Sequence, residues 1–94
     1  MNIKYKLLMF LNPDATCARD AAEYLYGSST DDDKANARAV VCKLRAMGWI
    51  ISKKTWQVTG EQYELLQKCQ ELKLNPRQDK DITPDGLREL TTWE

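Results

Sequence analysis

The chain contains no histidine, only four glycines and three prolines, and an odd number of cysteines, three. Each shortage excludes something. Without histidine the commonest general acid–base group is missing. The glycines stand singly, so no glycine-rich phosphate loop can form. Cys17, Cys42 and Cys69 are widely spaced and form no CxxC pair. Neither a zinc site nor a disulfide framework is therefore expected, and the thiols should stay reduced in a cytoplasmic protein. The apolar run LLMFL, residues 7–11, stops at Asn12-Pro13-Asp14. A secretion signal needs about seven or more apolar residues, and a membrane helix about 20. We read it as a core helix. No enzyme, cofactor or metal is expected. Cys42 beside Arg38 and Lys43 is the one thiol in an electropositive setting, and we read it as an ordinary helix thiol rather than a nucleophile.

Net charge is also lacking, with 14 basic and 14 acidic residues. The distribution is uneven. Residues 1–60 hold nine basic and six acidic groups, and residues 61–94 hold five and eight. The positive excess therefore sits in the first two thirds of the chain.

What is present is a single-domain pattern of helix signals in 94 residues. Residues 3–11 form a first helix, stopped by Asn12-Pro13-Asp14. A second runs from Ala15 to Tyr26, with Ala18, Ala21, Ala22 and Leu25 at helical spacing and Gly27 as the stop. Thr30 with Asp33 makes a capping-box pattern for a third helix, and Asp31 to Asp33 suit its positive dipole end. Ala37, Val40, Val41, Leu44 and Met47 share one inward stripe, and Gly48 ends the helix. In residues 49–58, a turn at Lys53-Lys54 puts Trp49, Ile51, Trp56 and Val58 on one face of a hairpin. Thr59 starts a fourth helix with Gln62 at its third position and an inner side of Tyr63, Leu66, Cys69 or Gln70, and Leu74. Asn75-Pro76 ends it, and residues 75–81 read as a linker. Thr83-Pro84 opens a terminal helix with Ile82 and Leu87 as a hydrophobic staple. Leu87, Leu90 and Trp93 give it an apolar side.

The candidate site is the outer face of the third helix. Lys34, Arg38 and Arg45 lie within about 40° on the helical wheel, beside the small residues Ala35, Ala39, Cys42 and Ala46. Asn36 and Lys43 flank the face on its other side. Such a face permits close backbone approach to a duplex. Arg38 can address guanine edges while its neighbours meet phosphates. Lys53 and Lys54 at the hairpin tip would displace counterions from the adjacent backbone. The expected DNA-binding set is Lys34, Asn36, Arg38, Lys43, Arg45, Lys53 and Lys54.

Three segments, RDAAEYL, KANARAVVCKLRAMGWI and TWQVTGEQYELL, together resemble winged helix-turn-helix regulators of the MarR or PadR type. The likeness rests on the step Leu44 through Ile50 and the closing run Val58-Thr59-Gly60-Glu61-Gln62-Tyr63-Glu64-Leu65-Leu66. It covers about residues 3–72. It implies a mainly α fold with a small β-hairpin: a three-helix core plus wing and C-terminal helices. Residues 1–74 would be the winged helix domain, and 75–94 a linker and short helix. It also implies double-stranded DNA as partner, and a homodimer for which residues 83–94 are the available segment. The expected function is a DNA-binding regulator or accessory factor, as of a phage or mobile element. Asp31 to Asp33 and the neutral charge support a second reading, a protein-binding adaptor or an inhibitor of another nucleic-acid machine.

Overall fold

The computed structural model describes residues 2–11, 16–74, 76 and 78–92. Five α-helices and one 3-10 turn follow in order: α1 (Ile3–Leu11), α2 (Ala18–Tyr26), α3 (Asp31–Ala46), α4 (Gly60–Glu71), the turn Asp79–Ile82, and α5 (Pro84–Thr91). α1 is the hub, packing against α2, α3, α4 and the 3-10 turn. That position explains its sequence, because a helix surrounded by neighbours has little solvent side to make polar. Tyr5, Leu7, Leu8 and Leu11 are all buried. Phe10 stacks on Tyr24 of α2 with ring centroids 4.3 Å apart. α3 adds Ala37, Val40, Val41 and Leu44, and α4 adds Leu65, Leu66 and Cys69. Burial pushes the Cys69 thiol up to about 11 and the Tyr5 phenol up to about 12, so the core holds both in their neutral forms.

Most local signals act as the sequence implies. Thr30 caps α3, its side chain accepting from Asp33 N at 3.2 Å. Gly27 stands in the left-handed region after α2 and donates its N–H to Glu23 O. Thr83 accepts from Gly86 N at 3.0 Å, with Pro84 in the first helical turn. Ile82 and Leu87 are fully buried in the common core. Some boundaries differ. α2 begins at Ala18, because Thr16 is extended and Cys17 takes the cap position. α4 ends at Glu71, with Lys73 in left-handed geometry at φ 54°. Thr59 stands at the start of α4 without a side-chain capping bond. Asn12-Pro13-Asp14, Ala15, Asn75 and Trp93 lie outside the described residues.

The residues after α4 turn back onto the core instead of trailing from it. The radius of gyration is 12.7 Å, close to the roughly 12 Å expected of a folded chain this long. Residues 75–81 are read as a linker, but the 3-10 turn Asp79–Ile82 begins inside them and packs on α1 and α5. α5 comes so close to that turn that a methyl group built on Gly86 would lie 2.6 Å from Lys80 O.

The expected winged helix-turn-helix architecture with a β-hairpin wing is not what this chain builds. The described residues contain no β-strand, and the fold is mainly α. Residues 49–58 form a loop. Its apolar set is placed as expected, with Trp49, Ile51, Trp56 and Val58 all buried. The backbone partners are not. Ile50 N donates to the Gln62 side chain at 2.8 Å, and that amide donates to Gly48 O at 3.0 Å. Ile51 O accepts from the Arg45 guanidinium at 3.0 and 3.2 Å. Trp56 exchanges both backbone hydrogen bonds with Thr16, at 2.8 and 2.9 Å, as an isolated antiparallel bridge. Ser52 N donates to Gln57 O at 3.2 Å, which closes a wider loop than the two-residue tip the alternation suggested. Side chains and a distant residue thus occupy groups that a hairpin ladder would have paired.

Candidate nucleic-acid interface

α3 carries opposite charge at its two ends. Its first turn holds Asp31, Asp32 and Asp33, and its last turn holds Lys43 and Arg45. Asp33 accepts from Thr30 Oγ1 at 2.9 Å and from Ser28 Oγ. The Ser28 and Thr30 hydroxyls hold its carboxyl below the usual carboxylate range. Asp31 pairs with Lys34 at 3.5 Å. The cations available to a partner therefore begin one turn further on, at Arg38.

Four of the seven expected site residues meet there. Arg38 and Arg45 from α3, and Lys53 and Lys54 from the 49–58 loop, line a concavity of ≈ 380 Å³ together with Cys42 and Trp56. Arg38, Lys53 and Lys54 are exposed. α2 starts at the same place: Cys17 and Ala18 line the concavity, and no side chain caps that helix end. The dipole of α2 adds positive potential to the four side-chain charges.

Arg45 has a second duty. It is half-buried, and besides its two bonds to Ile51 O it donates to Ser52 O at 3.1 Å. Its planar fork matches two successive carbonyls with donors already set in place, which the single nitrogen of a lysine does not offer. The guanidinium therefore fixes the loop that carries Lys53 and Lys54, and its charge remains in the concavity wall.

The other expected residues are placed differently. Lys34 is half-buried in its pair with Asp31, and Asn36 is exposed; neither lines a described concavity. Lys43 is exposed on the far side of α3 and lines a second, shallower concavity of ≈ 470 Å³. Lys4 of α1 and Lys80 of the 3-10 turn join it there, over Ala46 and Met47. Sequence reading does not single out Lys4 or Lys80, because nothing local marks them. Only the packing of α1 and the 3-10 turn brings positions 4, 43 and 80 together.

Between the two cationic groups, the outward side of α3 shows Ala35, Ala39, Cys42 and Ala46, all of them exposed. The Cys17 and Cys42 thiols are exposed and the Cys69 thiol is buried. No helix among the described residues is long and apolar enough to cross a membrane. Comparison with protein-family models, with curated proteins and with solved structures yields no match, so the functional reading rests on this geometry alone.

Proposed function

We propose that the protein binds double-stranded DNA through the outer face of α3 and the loop beside it, as a small regulator or accessory factor. The observation that carries the reading is the convergence of Arg38, Arg45, Lys53 and Lys54 on one concave surface of a chain with no net charge. Like charges repel, so gathering them in a neutral protein is unfavourable in a way that a polyanion would offset. The small residues along α3 allow a groove to approach the helix closely, and Arg38 has the reach and geometry to address guanine. This reading does not need paired strands, since Arg45 holds the loop in place of a ladder. The duplex would meet the second half of α3, because the acidic first turn repels phosphates.

Anisotropy titration of labelled duplexes at about 50 and 200 mM salt tests this, across the range where phosphate binding loses most of its strength. Arg38→Ala should weaken binding to a selected site by about 1–3 kcal/mol, and Lys53→Gln should lower the salt slope by about one. Wild-type protein that binds no duplex at the lower salt would refute the reading. The acidic turn next to a cationic patch favours the second reading, a protein-binding adaptor. Specific capture of a partner protein that is abolished by charge reversal at Arg38, with no duplex binding, would establish it instead.

A further inference from the structure

We propose that the concavity beside α3 is also a thiol-modification site: Cys17 and Cys42 take up low-molecular-weight disulfides that carry carboxylates, and the adduct closes the surface to DNA. The closing of the surface rests on the duplex-binding reading; the modification does not. In the sequence, Cys42 has Arg38 one helical turn before it and Arg45 one turn after. The fold adds a second thiol and two more cations. Cys17 enters from the start of α2, and Lys53 and Lys54 enter from the loop, so two thiols and four cations line one concavity. Cys17 and Cys42 are both exposed. None of the described residues lining the concavity is acidic.

Two tertiary ties make this arrangement. The bridge between Thr16 and Trp56 fastens the residue before Cys17 to the loop that carries Lys53 and Lys54. Arg45 fastens α3, and with it Cys42, to the same loop through Ile51 O and Ser52 O. The concavity of ≈ 380 Å³ falls within the roughly 300–1,000 Å³ of small-molecule sites. Its cations raise the local concentration of an anionic reagent and repel a cationic one. A DNA phosphate calls on the same cations. An adduct whose carboxylates pair with them therefore stands where the duplex would.

The chemistry is thiol–disulfide exchange. A protein thiol gives up its proton, and its sulfur attacks one sulfur of the incoming disulfide. A bond forms between protein and reagent, the reagent's own S–S bond breaks, and the departing thiolate takes up a proton. The protein sulfur is oxidised and the half that leaves is reduced. An excess of free thiol runs the exchange backwards.

Oxidised glutathione, which is anionic, is compared with cystamine, which is cationic, on the folded protein at low salt. Each rate is divided by the rate on protein unfolded in urea, which removes the intrinsic difference between the reagents. Intact mass and peptide mapping should place adducts on Cys17 and Cys42 and leave the buried Cys69 unmodified. The normalised rates should favour oxidised glutathione by about tenfold, the low end of electrostatic steering. The preference should shrink at about 1 M salt. It should shrink likewise in Lys53→Gln/Lys54→Gln, whose lysines reach the thiols only through the fold. Protein carrying the adduct should lose duplex binding, and dithiothreitol should restore it. Equal normalised rates for the two reagents would overturn the site. So would closure of Cys17 on Cys42, seen as the loss of one hydrogen from each sulfur with no adduct. Modified protein that binds duplex as the reduced protein does would overturn the closing of the surface and leave the duplex-binding reading standing. Reduced protein that binds no duplex would refute that reading and the closing with it, and the reagent preference would decide the modification site by itself.

Discussion

The two ends of α3 are built on different principles. The N-terminal end is local. Thr30, Asp33 and Ser28 satisfy one another within six residues, and Asp31 pairs with Lys34 one turn away. The C-terminal end depends on distant parts of the chain. Met47 N bonds to Lys43 O and Leu44 O, and Gly48 at φ 111° turns the chain away. Trp49 then enters the core and donates its indole N–H to Ile82 O, 33 residues on, at 2.8 Å. Arg45 reaches forward to Ile51 and Ser52, and Gln62 reaches back to Gly48 and Ile50. The local end is acidic and the distantly anchored end is cationic. The surface proposed to bind DNA is thus held by the part of α3 whose shape depends on the whole fold.

The contrast breaks most directly at Trp49. Trp49→Ala should cost about 3–5 kcal/mol for the buried side chain, with a further penalty for the Ile82 carbonyl left without its donor. Domains of this size have about 5–15 kcal/mol in all, so urea unfolding should show a much earlier midpoint. Trp49→Phe keeps most of the volume, and its smaller effect isolates the hydrogen bond. Arg45→Gln comes next. It removes charge-assisted bonds to two loop carbonyls, worth about 2 kcal/mol. Amide exchange should quicken across residues 50–57 while α3 itself stays protected. Equal exchange in loop and helix would show that Arg45 does not fix the loop separately.

The smallest effect belongs to the local end. Thr30→Ala should cost about 1 kcal/mol, as removal of a helix cap does. That cost should depend on acid. The folded protein holds the Asp33 carboxyl below its ordinary value of 3.8, through bonds from Ser28 and Thr30. The associated stability is present above that pH and disappears as pH falls through the lower, folded value. The gap between wild type and variant in chemical unfolding should therefore narrow as the pH is taken below about 4, the ordinary carboxylate range, leaving the part due to Thr30 accepting from Asp33 N. A constant gap throughout that acid range would mean that Thr30 acts through its backbone bond alone.

The same division explains what could be read from the sequence. Thr30 with Asp33, Gly27, and Thr83 with Pro84 mark boundaries within a few residues, and the structure uses all of them. Alternation along 49–58 correctly separates Trp49, Ile51, Trp56 and Val58, which are buried, from Ile50 and Ser52, which are exposed. Alternation says which side faces inward and nothing about which backbone is opposite. The partners are Thr16, Arg45 and Gln62, and no spacing within 49–58 names them. The site shows the same split. Arg38, Lys53 and Lys54 follow from helix geometry and loop position. The diversion of Arg45, the pairing of Lys34, and the arrival of Lys4 and Lys80 beside Lys43 depend on tertiary packing.

Gly86 has a bearing beyond its own helix. With a methyl group there, Lys80 O would have to retreat, and Asp81 Cα, 3.1 Å away, would have to retreat with it. A residue that touches nothing through a side chain of its own thereby sets where the backbone of Lys80 and Asp81 stands. An alanine at position 86 would keep every charge of the chain yet push the backbone of the 3-10 turn away from α5. Two proteins with identical electrostatic inventories would then present those charges on differently shaped backbones.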